Sequence, residues 1–461
     1  MSKKILFITG RLAERQLQRI LKSMKPDFGF KINQIGVNVA ALMSENIIMR
    51  RLKKPKDIDK IIVPGKFKGN INKLTKYFDI PVERGPEDLT DLPDYFGLKS
   101  AEKDLTDYEC DIFAEIVDAA LLPPRKILKI AKEYVSQGAN VIDIGCMPDT
   151  KFEHLEEVIK ALKKINIKVS IDSADEEELL RGASAGADYI LSINEKNMHI
   201  MNNIKSSVPI LIPSAQGDVK SLERIIKVFI KNKKDFLADP ILDPIHYGFS
   251  ESLIRYVNLR KKFPSIKMFM GTGNLTELTD SDSSGVNAIL MGLVSELSIN
   301  AVLVVQVSGH CRNSIKETDM ARKIMYFSKT NKRLPFRINE GLMTTSNRKP
   351  TRKSKKEISE IKNLIKDKNY RIFLSDKGIN ILNSEIQIEG IDPFEFYTSL
   401  NVEKDASHSF YLGVELARAQ IAFQLGKNYD QDNELQWGIA YTQVKNLNVH
   451  PKLKSTQKND N

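Results

Sequence analysis

Two short runs hold the residues best placed to do chemistry. Residues 139–145 read ANVIDIG and residues 168–173 read KVSIDS, so Asp143 and Asp172 each sit near the end of an apolar stretch. The two runs lie about one strand–helix unit apart. A carboxylate at the exit of a buried parallel strand is costly unless something there uses its charge. Other polar residues follow similar runs: Asp118 after IFAEIV, Asn194 after YILSI, Asp239 and Asp243 in ADPILDP, and Asn274 in GTGNL. Gln306 and Ser308 lie in VVQVS, with His310 and Arg312 just beyond. Carboxylates and carboxamides dominate, and cations are few. Such a set suits a flat heterocycle with a row of N–H donors. A carboxylate takes two of those hydrogens in a bidentate pair, and a carboxamide reads a neighbouring donor/acceptor edge.

These residues can act together only if the strands before them share one rim. From residue 111 onward, strand and helix patterns alternate strictly. Strands are expected at 113–119, 140–145, 168–172, 188–194, 209–214, 235–242, 267–273 and 301–308. Helical patterns fall at 126–137, 152–164, 176–185, 222–231, 253–262 and 314–329. Strands apolar along their whole length are those covered on both faces. Eight of them separated by helices point to a (β/α)8 barrel, whose ligand face lies at the C-terminal strand ends. A doubly wound open sheet is the competitor, and the count of eight favours the barrel.

The chain has 461 residues, 41% hydrophobic and 28% charged, a globular composition long enough for two or three domains. No apolar run approaches the roughly 20 residues of a membrane helix. The opening MSKKILFIT starts a strand and is no signal peptide, and Cys110, Cys146 and Cys311 are unclustered. A reduced, cytoplasmic setting with no membrane partner is expected. The net charge of +11 collects partly in a basic run at 348–356 (RKPTRKSKK) and a Lys-rich tail at 451–461. No nucleic-acid motif accompanies them, so they read as solvated charge and no nucleic-acid partner is expected.

The domain plan follows these shifts. Residues 1–100 form a small α/β, Rossmann-like domain with strands near 4–9, 28–39 and 61–63, lacking a G-x-G-x-x-G fingerprint. GPEDLTDLPDYFG at 85–97 reads as its exit. The barrel fills 101–345, and a basic linker 346–369. A C-terminal α+β domain takes 370–450, with a hairpin (370–374 and 379–390, turned at Asp376-Lys377-Gly378) and a helix over 408–425 stopped by Gly426. The polar tail is 451–461.

GANVIDIG, VSIDS, GADYILSIN and ILDPIHYGF resemble the strand-end motifs of the pterin-binding barrel superfamily. That superfamily holds dihydropteroate synthases and methyltetrahydrofolate-dependent corrinoid methyltransferases. With its flanks (GPEDLTDLPDYFG and DASHSFYLGVELARAQIAFQLGKNY), the chain resembles archaeal dihydropteroate synthase-related proteins, associated with methanopterin-type cofactors. The resemblance implies that Asp172 hydrogen-bonds the pterin ring and that Asp243 grips its 2-amino pyrimidinone edge. Asn194 matches the fourth-strand asparagine, although Leu191 and Ser192 align equally well. Asp118 falls near the first-strand asparagine, without the synthase loop N-V-T-P-D-S-F. Where synthases carry S-R-K this chain has GTGNL; Asn274 there is more like the methyltransferases. Where synthases end strand eight with R-V-H it has Gln306-Val307-Ser308, leaving His310 and Arg312 as a candidate anion pair.

Each residue also has a plainer structural role. Asp172 could cap the next helix, Asp143 could orient rim backbone, and Asp243 precedes Pro244 in a common turn pairing. Cys146 and Cys311 fit packing, and His154, His199 and His246 lack metal spacing, so no metal site is expected.

As a synthase, the chain would join a dihydropterin-methyl diphosphate to an arylamine, with Mg²⁺ and the Arg312 region holding the diphosphate. As a methyltransferase it would pass a methyl group from a methyl-tetrahydropterin to a corrinoid protein. A third reading is a non-catalytic pterin-binding scaffold. Barrels of this superfamily are often dimers, which implies a homodimer.

Overall fold

Four parallel strands open the chain in the computed structural model, which describes residues 3–38, 43–87, 89–98 and 104–441. The chain divides into two compact units, Met1–Lys103 and Asp104–Asn461. In the first, β1 (Lys4–Thr9), α1 (Arg11–Met24), β2 (Gly29–Gln34), α2 (Glu45–Arg51), β3 (Lys60–Val63), α3 (Ile71–Phe78) and β4 (Val82–Arg84) alternate. The sheet order is β2-β1-β3-β4. Both faces are covered. Leu17 and Leu21 of α1 pack on Ile5, Phe7 and Ile62, while Ile48, Leu74 and Phe78 pack on Leu6, Ile8, Ile61 and Val63. Ser44 and Asn70 cap α2 and α3. The segment read as an exit is folded onto this unit. It forms α4 (Leu92–Tyr95), Leu92 is buried, and the Phe96 ring lies 4.5 Å from Phe28. Its aromatic residues outweigh its Pro, Gly and Asp content. Val39, the end of one expected strand, lies outside the described residues.

In the second unit, β5 (Asp111–Ile116), α5 (Pro124–Ser136), β6 (Val141–Gly145), α6 (Leu155–Lys164), β7 (Lys168–Asp172), α7 (Glu176–Ala185) and β8 (Tyr189–Ile193) build the first half of a barrel. The second half is β9 (Val208–Leu211), α8 (Val219–Lys231), β10 (Leu237–Ala238), α9 (Phe249–Lys262), β11 (Lys267–Gly271), α10 (Gly273–Thr276), α11 (Ser283–Glu296), β12 (Ala301–Val304) and α12 (Ser314–Thr330). All eight strands pair in parallel and close in chain order, β12 onto β5. This is a (β/α)8 barrel. Between β8 and β9 the covering helix is reduced to a 3₁₀ segment, Met198–Asn202.

Side-chain alternation explains why the strands are apolar throughout yet end in acids. On the helix-facing side lie Ile112, Ala114, Ile142, Ile144, Val169 and Ile171. Inside, Phe113, Val141, Leu191, Ile210, Leu237 and Phe269 fill the lower barrel. The Phe113 ring lies 4.8 Å from Tyr189 and 5.1 Å from Phe269. The barrel therefore has an aromatic floor, and Glu115 and Asp143 take the next inward positions above Phe113 and Val141.

Beyond the barrel, the basic run leads into α13 (Lys355–Leu364), started by a Ser354/Glu357 capping box. Next come β13 (Arg371–Leu374), β14 (Ile379–Leu382), β15 (Gln387–Gly390), α14 (Pro393–Tyr397) and α15 (Ala406–Gln424). The expected hairpin is a three-stranded meander. Asn383 Oδ1 accepts from the backbone N–H of Glu385 and Ile386, turning the chain where one long strand was expected. Asp405 caps α15, and Gly426 follows its end at φ +64°. Lys427 is buried; its Nζ donates to the Thr344 and Gln436 carbonyls and lies 4.3 Å from the Trp437 ring centre. Residues 442–450 and the tail 451–461 lie outside the described residues. Among the described residues, no helix is long and apolar enough to cross a membrane.

Candidate functional site

Three neighbouring strands bring three carboxylates to the top of the barrel. Val141, Asp143 and Gly145 share the inward side of β6, and Phe113 and Glu115 that of β5. In register, Glu115 stands beside Asp143, Asp143 beside Ser170, and Gly145 beside Asp172. The glycine makes room. A Cβ there would lie 2.7 Å from Glu115 Oε1, so the glutamate occupies the space a side chain on Gly145 would fill.

The hydrogen bonds are few for so many oxygens. Ser170 Oγ donates to Asp143 Oδ1 at 2.5 Å, and Ser192 Oγ donates to Asp172 Oδ1 at 2.6 Å. Asp143 is fully buried, and its Oδ2 has no hydrogen-bond partner among the described residues. Burial, then the charges of Asp172 and Glu115, hold the Asp143 carboxyl well above the usual carboxylate range, against the pull of Ser170. Burial likewise raises Asp172, opposed by Ser192. Burial with the charges of Asp172, Asp118 and Glu277 pushes Glu115 up to about 7.

Asp172 is not the helix cap. Asp175 caps α7 by accepting from the Glu177 N–H at 2.8 Å, so Asp172 is left facing inward. Asp118 is exposed, at φ +51°, beginning the turn after β5 and adding negative charge beside Glu115.

The other expected site residues have different occupations. Asn194 is tied into its own turn: its Oδ1 accepts from the Lys196 N–H, and its N–H donates to Asn197. Ser192 supplies the polar contact from this strand. It sits at φ +64° where the β8–β9 pairing shifts register, and that shift turns it toward Asp172. Asp243 is buried in an ion pair, with Arg255 Nη2 2.5 Å from Oδ2 and Gln216 donating to Oδ1 at 3.2 Å. Arg255 also donates to the Pro240 and Ile241 carbonyls. Asn274 is exposed and donates to the Leu242 carbonyl at 2.9 Å, linking the loops after β10 and β11.

The His310–Arg312 pair does not form a free anion clamp. The His310 ring N–H donates to the Thr276 carbonyl at 3.0 Å. Arg312 is exposed and has no ion pair among the described residues. Cys146 lies beside Glu178, and burial with that charge pushes its thiol up, so it stays protonated. Asp239 is buried and accepts from Tyr256 Oη at 2.5 Å; burial raises it to about 6 against that bond. Among the described residues, no three His, Cys, Asp or Glu side chains are grouped to hold a metal ion.

Glu115 is the contact that reading strand ends misses. Glu115 is two residues after Phe113 in IFAEIV, and that spacing alone puts it on the inward face. Ser192 is one of three registers open for the fourth-strand polar residue, and the bulge between Ile190 and Ile193 is what selects it.

The fold and mouth define a (β/α)8 barrel with carboxylates at the C-terminal ends of its strands. Residues 116–224 match the family described as pterin binding enzyme, and residues 3–87 match a family of unknown function, DUF6513. An uncharacterized protein of Methanocaldococcus jannaschii is 27% identical over a 527-residue alignment, covering 94% of this chain and 99% of that protein. Among solved structures, a Yersinia pestis dihydropteroate synthase is 17% identical, covering 49% of this chain and 96% of that one, with a TM-score of 0.38. The Coxiella burnetii dihydropteroate synthase bound to pteroic acid is 17% identical over 48% and 94%, with a TM-score of 0.39.

Proposed function

We propose that the barrel is a reduced-pterin enzyme that condenses a dihydropterin-methyl diphosphate with an arylamine, in cofactor biosynthesis of the folate or methanopterin type. The observation that carries ring binding is the inward acid cluster, with a buried Asp143 oxygen lacking a donor. A pterin edge supplies N–H groups in a plane, which carboxylates accept in pairs. The aromatic floor gives the ring an apolar base, and Ser192 fixes the Asp172 carboxylate toward it. In the condensation, the arylamine nitrogen attacks the exocyclic methylene, the C–O bond to diphosphate breaks, and the amine's proton passes to a carboxylate or water. Arg312, exposed in the segment after β12, is a cation for the leaving group. The described residues offer no metal ligand set, so Mg²⁺ would arrive on the diphosphate as part of the substrate.

Incubating the protein with both substrates should release pyrophosphate, and titration with a reduced pterin should show binding that Asp172→Asn weakens by about 1.5–3 kcal/mol. Pterin binding without pyrophosphate release would remove the synthase reaction.

One observation favours a second reading. With His310 bonded to Thr276 and Asn274 in place of a lysine, the mouth is poor in cations for a diphosphate. Methyl transfer from a methyl-tetrahydropterin to a corrinoid protein needs none. Methylation of a reduced corrinoid protein by methyl-tetrahydropterin in its presence would establish that reaction.

A further inference from the structure

The acid cluster contains a hydrogen-bond deficit that its own residues can resolve in one way. Asp143 Oδ2 is buried without a donor among the described residues, an arrangement that costs free energy unless a proton is supplied. The groups around it are acids. Glu115 faces Asp118 from its own loop, Asp143 from β6, Asp172 from β7, Glu277 from the segment after α10, and the Tyr134 phenol from α5. Glu277 in turn sits near His310 and accepts from the Val307 and Ser308 N–H groups. Asp143 faces Ser170, Glu115 and Asp172, with Cys146 and Glu178 behind. Three crowded carboxylates of this kind do not all ionise together, and their titration belongs to the group.

We propose that Glu115, Asp143 and Asp172 hold one shared proton near neutral pH, and that the carboxyl carrying it donates to an acceptor nitrogen of the bound ring. The inference rests on the ring-binding reading for its ligand and on the cluster alone for its proton. The mouth then selects a planar heterocycle whose edge sets an acceptor nitrogen beside N–H donors. Glu115 becomes a specificity-determining residue. No covalent bond forms or breaks; the proton is shared.

Difference infrared spectroscopy of the full chain without ligand, wild type against Glu115→Gln, should show a protonated-carboxyl band near neutral pH that fades as pH rises. Titration with a tetrahydropterin on either side of about pH 7 should show wild-type affinity falling roughly tenfold per pH unit above that point. Glu115→Gln, which carries a permanent donor, should bind with a flat profile. Should that variant not fold, Asp143→Asn gives the same two readouts. Absence of the band, or a variant profile as steep as the wild type, overturns the proposal. A band with no pterin bound at any pH establishes the shared proton, and it overturns the ring-binding reading together with the ligand half of the proposal.

Discussion

At the scale of single residues, the cluster should set how stability depends on pH. Glu115 is raised from an ordinary 4.5 to about 7 in the folded chain. A group shifted upward contributes stability that is present below its unfolded value and is lost as pH rises through the folded one. Glu115→Gln removes that loss. It should therefore be more stable than the wild type above pH 7 by up to about 3 kcal/mol, and the gap should close toward acid. Thermal melts across a pH series check this, and a wild type more stable at every pH would refute it. Asp172 was legible in the sequence because VSIDS puts an acid at the end of an apolar run. Glu115 was not, because attention to strand ends passes over an acid in the middle of IFAEIV. His310 was misleading for another reason. Its partner, the Thr276 carbonyl, comes from the end of α10, 34 residues away, which no local pattern reveals.

At the scale of elements, the loop after β10 is the most constrained part of the rim. Ile241 is at φ +63°, a conformation that β-branched residues rarely adopt, and it persists only when surroundings impose it. Three side chains impose it here: Arg255 on two carbonyls and on Asp243, Asp239 on the Ile241 N–H, and Asn274 on the Leu242 carbonyl. Arg255→Ala strips Asp243 of its buried partner and should destabilise the barrel by about 3–5 kcal/mol, read from denaturant unfolding. A loss below 1 kcal/mol would show that the ion pair is dispensable. The strands themselves were legible because their composition follows from burial on both faces, and β7 falls at 168–172 as read. The short β10 was overread because Phe236, Leu237, Ala238, Ile241 and Leu242 give the stretch an apolar character, but the chain leaves the ladder after Ala238. Helix α11 gives little periodic signal, being apolar on most sides with Ile289 exposed.

At the scale of the whole molecule, the chain carries one tryptophan, and Trp437 packs with the C-terminal core beside the buried Lys427. The lysine holds two carbonyls, so Lys427→Met leaves both without that donor and should cost about 1–3 kcal/mol. That ring is also a built-in optical reporter with a narrow field of view. Its emission follows the carboxy-terminal lobe, while far-ultraviolet circular dichroism is dominated by the many barrel helices. If the two melting traces separate, and Lys427→Met moves only the emission trace, the lobe and the barrel come apart as independent cooperative units. Coincident traces that shift together would mean that a lesion under one indole ring is felt across the entire second unit.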